Sequence, residues 1–153
     1  MTDGIVVIGY GNMLRTDDGF GWHAAERLID DHRFAGAEIL QRHQLTPELA
    51  LDISTAALVV LIDATSGLPP GEFTVERVER SGPAPNTWSH HLSPATLVSL
   101  SDELYGRSAD VFVVSCGVQS LDVGDRLSPV AEAALPDVIN AVAALVASIS
   151  RPE

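Results

Sequence analysis

Three short aliphatic runs, IVVI at 5–8, ALVVLI at 57–62 and VFVVS at 111–115, are each followed by a loop and then, further on, by residues of helical period. Continuous apolar runs of this length, bounded by turn residues, predict strands buried on both faces. Such a sheet needs helices above and below it, and strands that alternate with helices run mostly parallel. Weaker strands are expected at 37–40 and at 73–78, where apolar and polar residues alternate as in a half-exposed edge strand. Helices are expected over about 20–31, 47–55, 94–105 and from 129 nearly to the C-terminus. The last three open on Thr46-Pro47, Ser93-Pro94 and Ser128-Pro129, a capping residue with proline at the first helical position. Gly106 is a stop for the helix that begins at Pro94. Phe20, Ala24, Leu28 and Ile29 recur at helical spacing in the first helix. Val130, Ala134, Val138, Val142, Leu145 and Ile149 form a stripe along the last. The prediction is a three-layer α/β/α single domain over 1–153, with a twisted, mostly parallel sheet of about five strands.

The loop leaving the first strand, GYGNMLRTDDGFG at 9–21, is the most distinctive stretch of the chain. A dinucleotide-binding loop would carry a third glycine where Leu14 stands, and the GxxxxGK[ST] phosphate loop is absent. Asp17 and Asp18 at the head of a helix would also repel a phosphate. A single acid there is explained by the helix dipole. Two acids among the glycines of this loop point instead to a site that receives something positive, such as a metal ion.

The formal net charge of −12, without any cluster of Lys or Arg, makes nucleic acid and anionic membrane poor partners. A cation, a basic peptide or a protein with a positive patch fits better. Cys116 is the single cysteine, so there is no internal disulfide, and its apolar run marks it as a buried small hydrophobe. No apolar stretch is expected to span a membrane, and the N-terminus lacks the pattern of a signal peptide. The chain is expected to be cytoplasmic.

Three positions fall in loops that a parallel sheet would gather at one edge: Asp18, Asp63 directly after the second strong strand, and one of His90 and His91 ahead of Ser93-Pro94. Two carboxylates and an imidazole can hold a divalent ion and leave positions open for substrate or water. The same three groups could do acid/base work without a metal. Other catalytic patterns are weak: G-x-S-x-G and HExxH are absent, and Cys116 has no histidine beside it in sequence. His23 and His43 are assigned by default to structural or surface roles.

GYGNMLRTDDGFG at 9–21, LIDATSG at 61–67, SHHLSP at 89–94 and SCGVQ leading to LSP over 115–129 together resemble the [NiFe]-hydrogenase maturation endopeptidases. The resemblance runs through essentially the whole chain, in order, and the G-x-G-N-x-L-x-x-D-[DE]-G segment is its specific part. It implies an endopeptidase that removes the C-terminal extension of a [NiFe]-hydrogenase large-subunit precursor once nickel is inserted. The metal-contacting acid of the family falls on Asp18, where relatives usually carry Glu, the second acid on Asp63 and the histidine on His90, with His91 as the alternative. Nickel would arrive with the precursor, no organic cofactor is implied, and the protein would be monomeric. Gly9, Gly11, Gly19 and Gly21 would let the backbone turn and a bulky protein substrate approach. Asp17 would support the loop or the helix end. The D-G-G-T-x-G loop of many relatives is replaced here by QRHQLTP at 41–47, a departure that bears on which large subunit is recognised. The alternatives are a non-catalytic nickel- or precursor-binding chaperone and, less favoured, a nucleotide-binding domain.

Overall fold

The computed structural model describes residues 4–79 and 92–150. In chain order they form β1 (Ile5–Tyr10), a 3-10 turn at Thr16–Gly19, α1 (Phe20–Ile29), a second 3-10 turn at His32–Phe34 and β2 (Glu38–Arg42). Then follow α2 (Leu49–Thr55), β3 (Leu58–Thr65), β4 (Phe73–Arg77), α3 (Pro94–Tyr105), β5 (Asp110–Gly117) and α4 (Pro129–Ser150). The five strands lie in the order β2-β1-β3-β5-β4, all parallel except β4, which runs antiparallel to β5. This is the mostly parallel α/β sheet that the strand pattern predicts.

Period-2 alternation divides each central strand between two cores. Ile5 and Val7, Leu58, Val60 and Ile62, and Val114 and Cys116 join α1 and α4 on one face. Val6 and Ile8, Val59 and Leu61, and Val111 join α2 and α3 on the other. β1 is thus followed by a helix on one face, and β2 by a helix on the opposite face. The carboxyl ends of β1 and β3 flank the point where the winding changes direction, the usual place for a site in an open α/β sheet.

The helix ends follow their sequence signals in part. Ser93 Oγ accepts from Thr96 N at 3.1 Å, and Gly106 closes α3 in the left-handed region at φ 74°. Ser128 Oγ accepts from Ala131 N at 3.3 Å at the head of α4. Thr46 does not cap α2: its Oγ1 is buried without a partner, and the chain enters at Leu49 through a tight turn that buries both Leu45 and Leu49.

Two apolar stripes are shifted from their expected positions. Ile29 is exposed at the end of α1, and in α4 Val130 and Ile149 are exposed. The buried stripe of α4 is Ala131, Ala134, Leu135, Val138, Ile139, Val142 and Val146. A helix lying on a sheet buries a wide i, i+3, i+4 band, which a strict four-residue count drifts away from. By length and composition the 21 residues Pro129–Ile149, of mean hydropathy 1.6, meet the requirement for crossing a membrane, contrary to the expectation that no stretch does. Here their apolar band packs on the sheet.

Candidate active site

On the face shared with α2 and α3, strand parity carries the rows Val6–Ile8 and Val59–Leu61 forward to Tyr10 and Asp63, with Ser115 the register partner of Asp63 on β5. The row changes from apolar to polar where the strands leave the core. Asp63, expected in a loop, lies inside β3, which runs on to Thr65 because Asp63, Ala64 and Thr65 still pair with Ser115, Cys116 and Gly117. Its carboxylate is held from both sides. Ser115 Oγ donates to Oδ1 at 2.6 Å, and the Tyr10 hydroxyl donates to Oδ2 at 2.8 Å. Burial raises the pKa of Asp63, the two hydrogen bonds oppose the rise, and the negative charge of Asp18 adds to it. Burial, together with the Asp63 charge, pushes the Tyr10 hydroxyl above its ordinary value, so it stays a donor.

Asp18 comes from the 3-10 turn after β1. Its Oδ2 accepts from Asn12 N at 3.0 Å, which closes the glycine loop on itself. It lines a cavity of about 380 Å³, together with Tyr10, Asn12 and Arg15 from its own side and His43, Gln44 and Leu45 from the β2 exit. Leu92, just before α3, completes the lining. The two acids singled out in the sequence therefore sit close enough for one charge to act on the other, at the carboxyl edge of the sheet.

Asp17 faces the opposite way and is fully buried. Its Oδ1 accepts from Ser128 N at 2.8 Å, and its Oδ2 accepts from Ser128 Oγ at 2.7 Å, Gln119 N at 2.8 Å and Ser120 N at 3.2 Å. Burial opposes its ionisation, but these bonds outweigh that cost and hold its pKa below the ordinary carboxylate value. Asp17 is expected from the sequence to support the loop or the end of the helix that follows it; the helix end it holds is instead that of α4, through Ser128. The segment behind adds further ties: Thr16 N donates to Gly124 O at 2.9 Å, and Thr16 Oγ1 donates to Asp122 O.

The glycines of the loop make room for the protein's own backbone. A Cβ on Gly21 would stand 2.0 Å from Ile62 O, and one on Gly11, at φ 148°, would stand 1.9 Å from Asp18 O. They bring α1 and the acidic turn onto the sheet, which corrects the expectation that they admit a substrate.

His90 and His91 lie outside the described residues. Among the described residues no group of three or more His, Cys, Asp and Glu side chains could hold a metal ion. Two carboxylates are the oxygen part of a donor set that an imidazole from the 90–91 pair would complete. Sequence reasoning missed Tyr10 and Ser115 as partners of Asp63, although extending the strand parity by one step points to both. It also set aside His43, which lines the cavity beside Asp18.

No protein-family model matches the chain, and no curated protein is similar to it at a significant level. Solved structures are. The [NiFe] hydrogenase maturation protease HycI from Thermococcus kodakarensis KOD1 is 25% identical, over 93% of this chain and 91% of that one, with a TM-score of 0.72. The hydrogenase maturating endopeptidase HybD from E. coli is 24% identical over 95% and 93%, with a TM-score of 0.71. A hydrogenase 2 maturation peptidase from a Thaumarchaeota archaeon is 21% identical over 93% and 97%, also at 0.71. The resemblance found in the sequence thus extends to three dimensions: the chain has the fold of the hydrogenase maturation proteases.

Proposed function

We infer that a chain with this fold and this pair of carboxylates is itself a hydrogenase maturation protease, an endopeptidase acting on a [NiFe]-hydrogenase large-subunit precursor. Its specific task is to remove the C-terminal extension after nickel insertion, with the precursor-borne nickel as the recognition element. The observation that carries this reading is the convergence of Asp18 and Asp63 at one edge of the sheet, with a raised pKa on Asp63. Two like charges at a half-buried position are costly, and a cation between them removes that cost. Asp18, Asp63 and His90 are the proposed contacts to the nickel, with His91 as the alternative. In the sequence His90 stands two residues before Leu92, which lines the same cavity as Asp18.

A site that needs metal to bind its substrate discriminates loaded from empty precursor by a difference of affinities. In that reading Tyr10 and Ser115 fix the direction of the Asp63 carboxylate, and Asn12 N fixes that of Asp18. The attacking water loses its proton either to a carboxylate acting as general base or through the Lewis acidity of the nickel. No organic cofactor takes part. The proposed working unit is a cytoplasmic monomer that engages neither nucleic acid nor membrane, a proposal supported by the net charge of −12.

The test is cleavage of nickel-loaded precursor, read as a mass change, by wild type and by Asp18→Ala, Asp63→Ala and His90→Ala. Loss of cleavage in each is expected, and wild-type rates in all three would overturn the assignment. Running His91→Ala alongside decides between the two histidines. A wild-type chain that binds precursor yet leaves its mass unchanged would be a nickel- or precursor-binding chaperone.

A further inference from the structure

The cleft beside Asp18 is unequal in its hydrogen-bonding character. Its apolar lining comes from Tyr10, Leu45 and Leu92, and its polar rim from Asn12, Arg15, Asp18, His43 and Gln44. Arg15 Nε donates to Leu121 O at 3.2 Å, which fixes the head of the side chain and leaves the two Nη groups for a ligand. Among the described residues Arg27, Arg33 and Arg77 are each paired with an acid, whereas Arg15, Arg42, Arg107 and Arg126 are not, and of these four only Arg15 lines the cleft. Asn12 Oδ1 is used up in accepting from Leu14 N at 2.9 Å, so its amide NH2 is the part that remains. Across the cleft stand the exposed side chains of His43 and Gln44. The one carboxylate on the rim, Asp18, already accepts from Asn12 N.

The planar fork of donors on Arg15 matches a carboxylate. We propose that this cleft binds a segment of the protein substrate in which an acidic side chain adjoins an apolar one, with Arg15 and His43 as specificity-determining residues. The apolar side chain packs on Tyr10 and Leu92 while the carboxylate meets Arg15, with His43 donating from the opposite wall. The proposal rests on the reading of the substrate as a protein precursor and adds what its bound segment must contain. The QRHQLTP stretch at 41–47 contributes His43, Gln44 and Leu45 to the cleft, so part of this chain's substrate preference is written there.

The test measures binding separately from cleavage. Fluorescein-labelled peptides, C-terminally amidated, carry either a Leu-Asp or a Leu-Asn pair in an otherwise identical Gly/Ser sequence, and a third carries Leu-Asn with a free C-terminal carboxylate. Fluorescence anisotropy with wild-type protein is expected to give about tenfold tighter binding of the Leu-Asp peptide than of either other, the size of one charge-assisted hydrogen bond. Arg15→Gln should abolish that preference, and His43→Gln should narrow it to about threefold. Equal binding of the three peptides, no binding of any, preference for the free C-terminus, or a preference that survives Arg15→Gln would each overturn the proposal. Both positions are exposed, so the variants should keep the wild-type melting temperature. With nickel-loaded precursor, Arg15→Gln should raise KM about tenfold, with the effect on KM rather than kcat. A precursor that wild type leaves uncut while the peptide preference persists would sink the peptidase reading and leave this one standing.

Discussion

Asp63 and Asp17 are both acids out of open water, and their surroundings push them in opposite directions. Burial raises the pKa of Asp63, so folding favours its protonated form: that contribution is fully present at low pH and is lost as the pH rises through its folded value. Asp63→Asn should therefore melt higher than wild type at neutral pH, by at least about 2 °C, the shift that a single kcal/mol makes in a chain of this size. The gain should vanish near pH 3 while precursor cleavage is lost at every pH. Thermal melts across pH check the sign, and a lower melting temperature for the variant at pH 7 would contradict it. Asp17 behaves in the reverse sense, since its pKa is lowered: its stabilisation is present above the ordinary carboxylate range and is lost as the pH falls through its folded value. Asp17→Ala leaves the buried N–H of Ser128 and the part-buried N–H groups of Gln119 and Ser120 without their acceptor and should cost about 3 kcal/mol, read from urea unfolding at pH 7. The sequence displays these two acids side by side. Which one faces the cleft and which is locked under α4 depends on the path of the 118–128 segment, more than a hundred residues away.

At the scale of elements, the start of α1 and the carboxyl ends of β1 and β3 are in backbone contact. A Cβ on Gly21 would meet the Ile62 carbonyl oxygen, which no rotamer change can move, so Gly21→Ala should destabilise by about 3 kcal/mol. Gly106 makes the contrast: a Cβ there meets nothing within 4 Å, and only its φ of 74° opposes a side chain, so Gly106→Ala should cost about 1 kcal/mol. Chemical denaturation of the two variants separates close approach from backbone conformation, and equal losses would refute the distinction. The strands and most helix starts were legible because continuous apolar runs and Ser-Pro pairs are local signals. The end of β3 was not, because an acid after an apolar run looks like a loop until the neighbouring strand is seen to pair with it through Ser115, Cys116 and Gly117. The stripe of α4 was misjudged for a related reason, since Ala131, Leu135, Ile139 and Val146 count as core only once a sheet lies under them.

For the molecule as a whole, the excess of negative charge sets a measurable property. Raising sodium chloride from about 0.1 M to about 1 M shortens the screening length from about 10 Å to about 3 Å and should raise the melting temperature, because self-repulsion at a charge of −12 is relieved. A fall would mean that exposed pairs such as Arg33–Asp31 and Arg77–Asp110 outweigh the net repulsion. By itself the amino-acid sequence determined the layers, the near-parallel sheet and the two acids of the site, since hydrophobic period, capping residues and glycine loops act over a few residues. Tertiary structure alone decided that Tyr10 and Ser115 grip Asp63, that Asp17 turns inward, and that His43 shares a cleft with Asp18. Each of these depends on strand order and register, which bring together residues with no local relation in the chain.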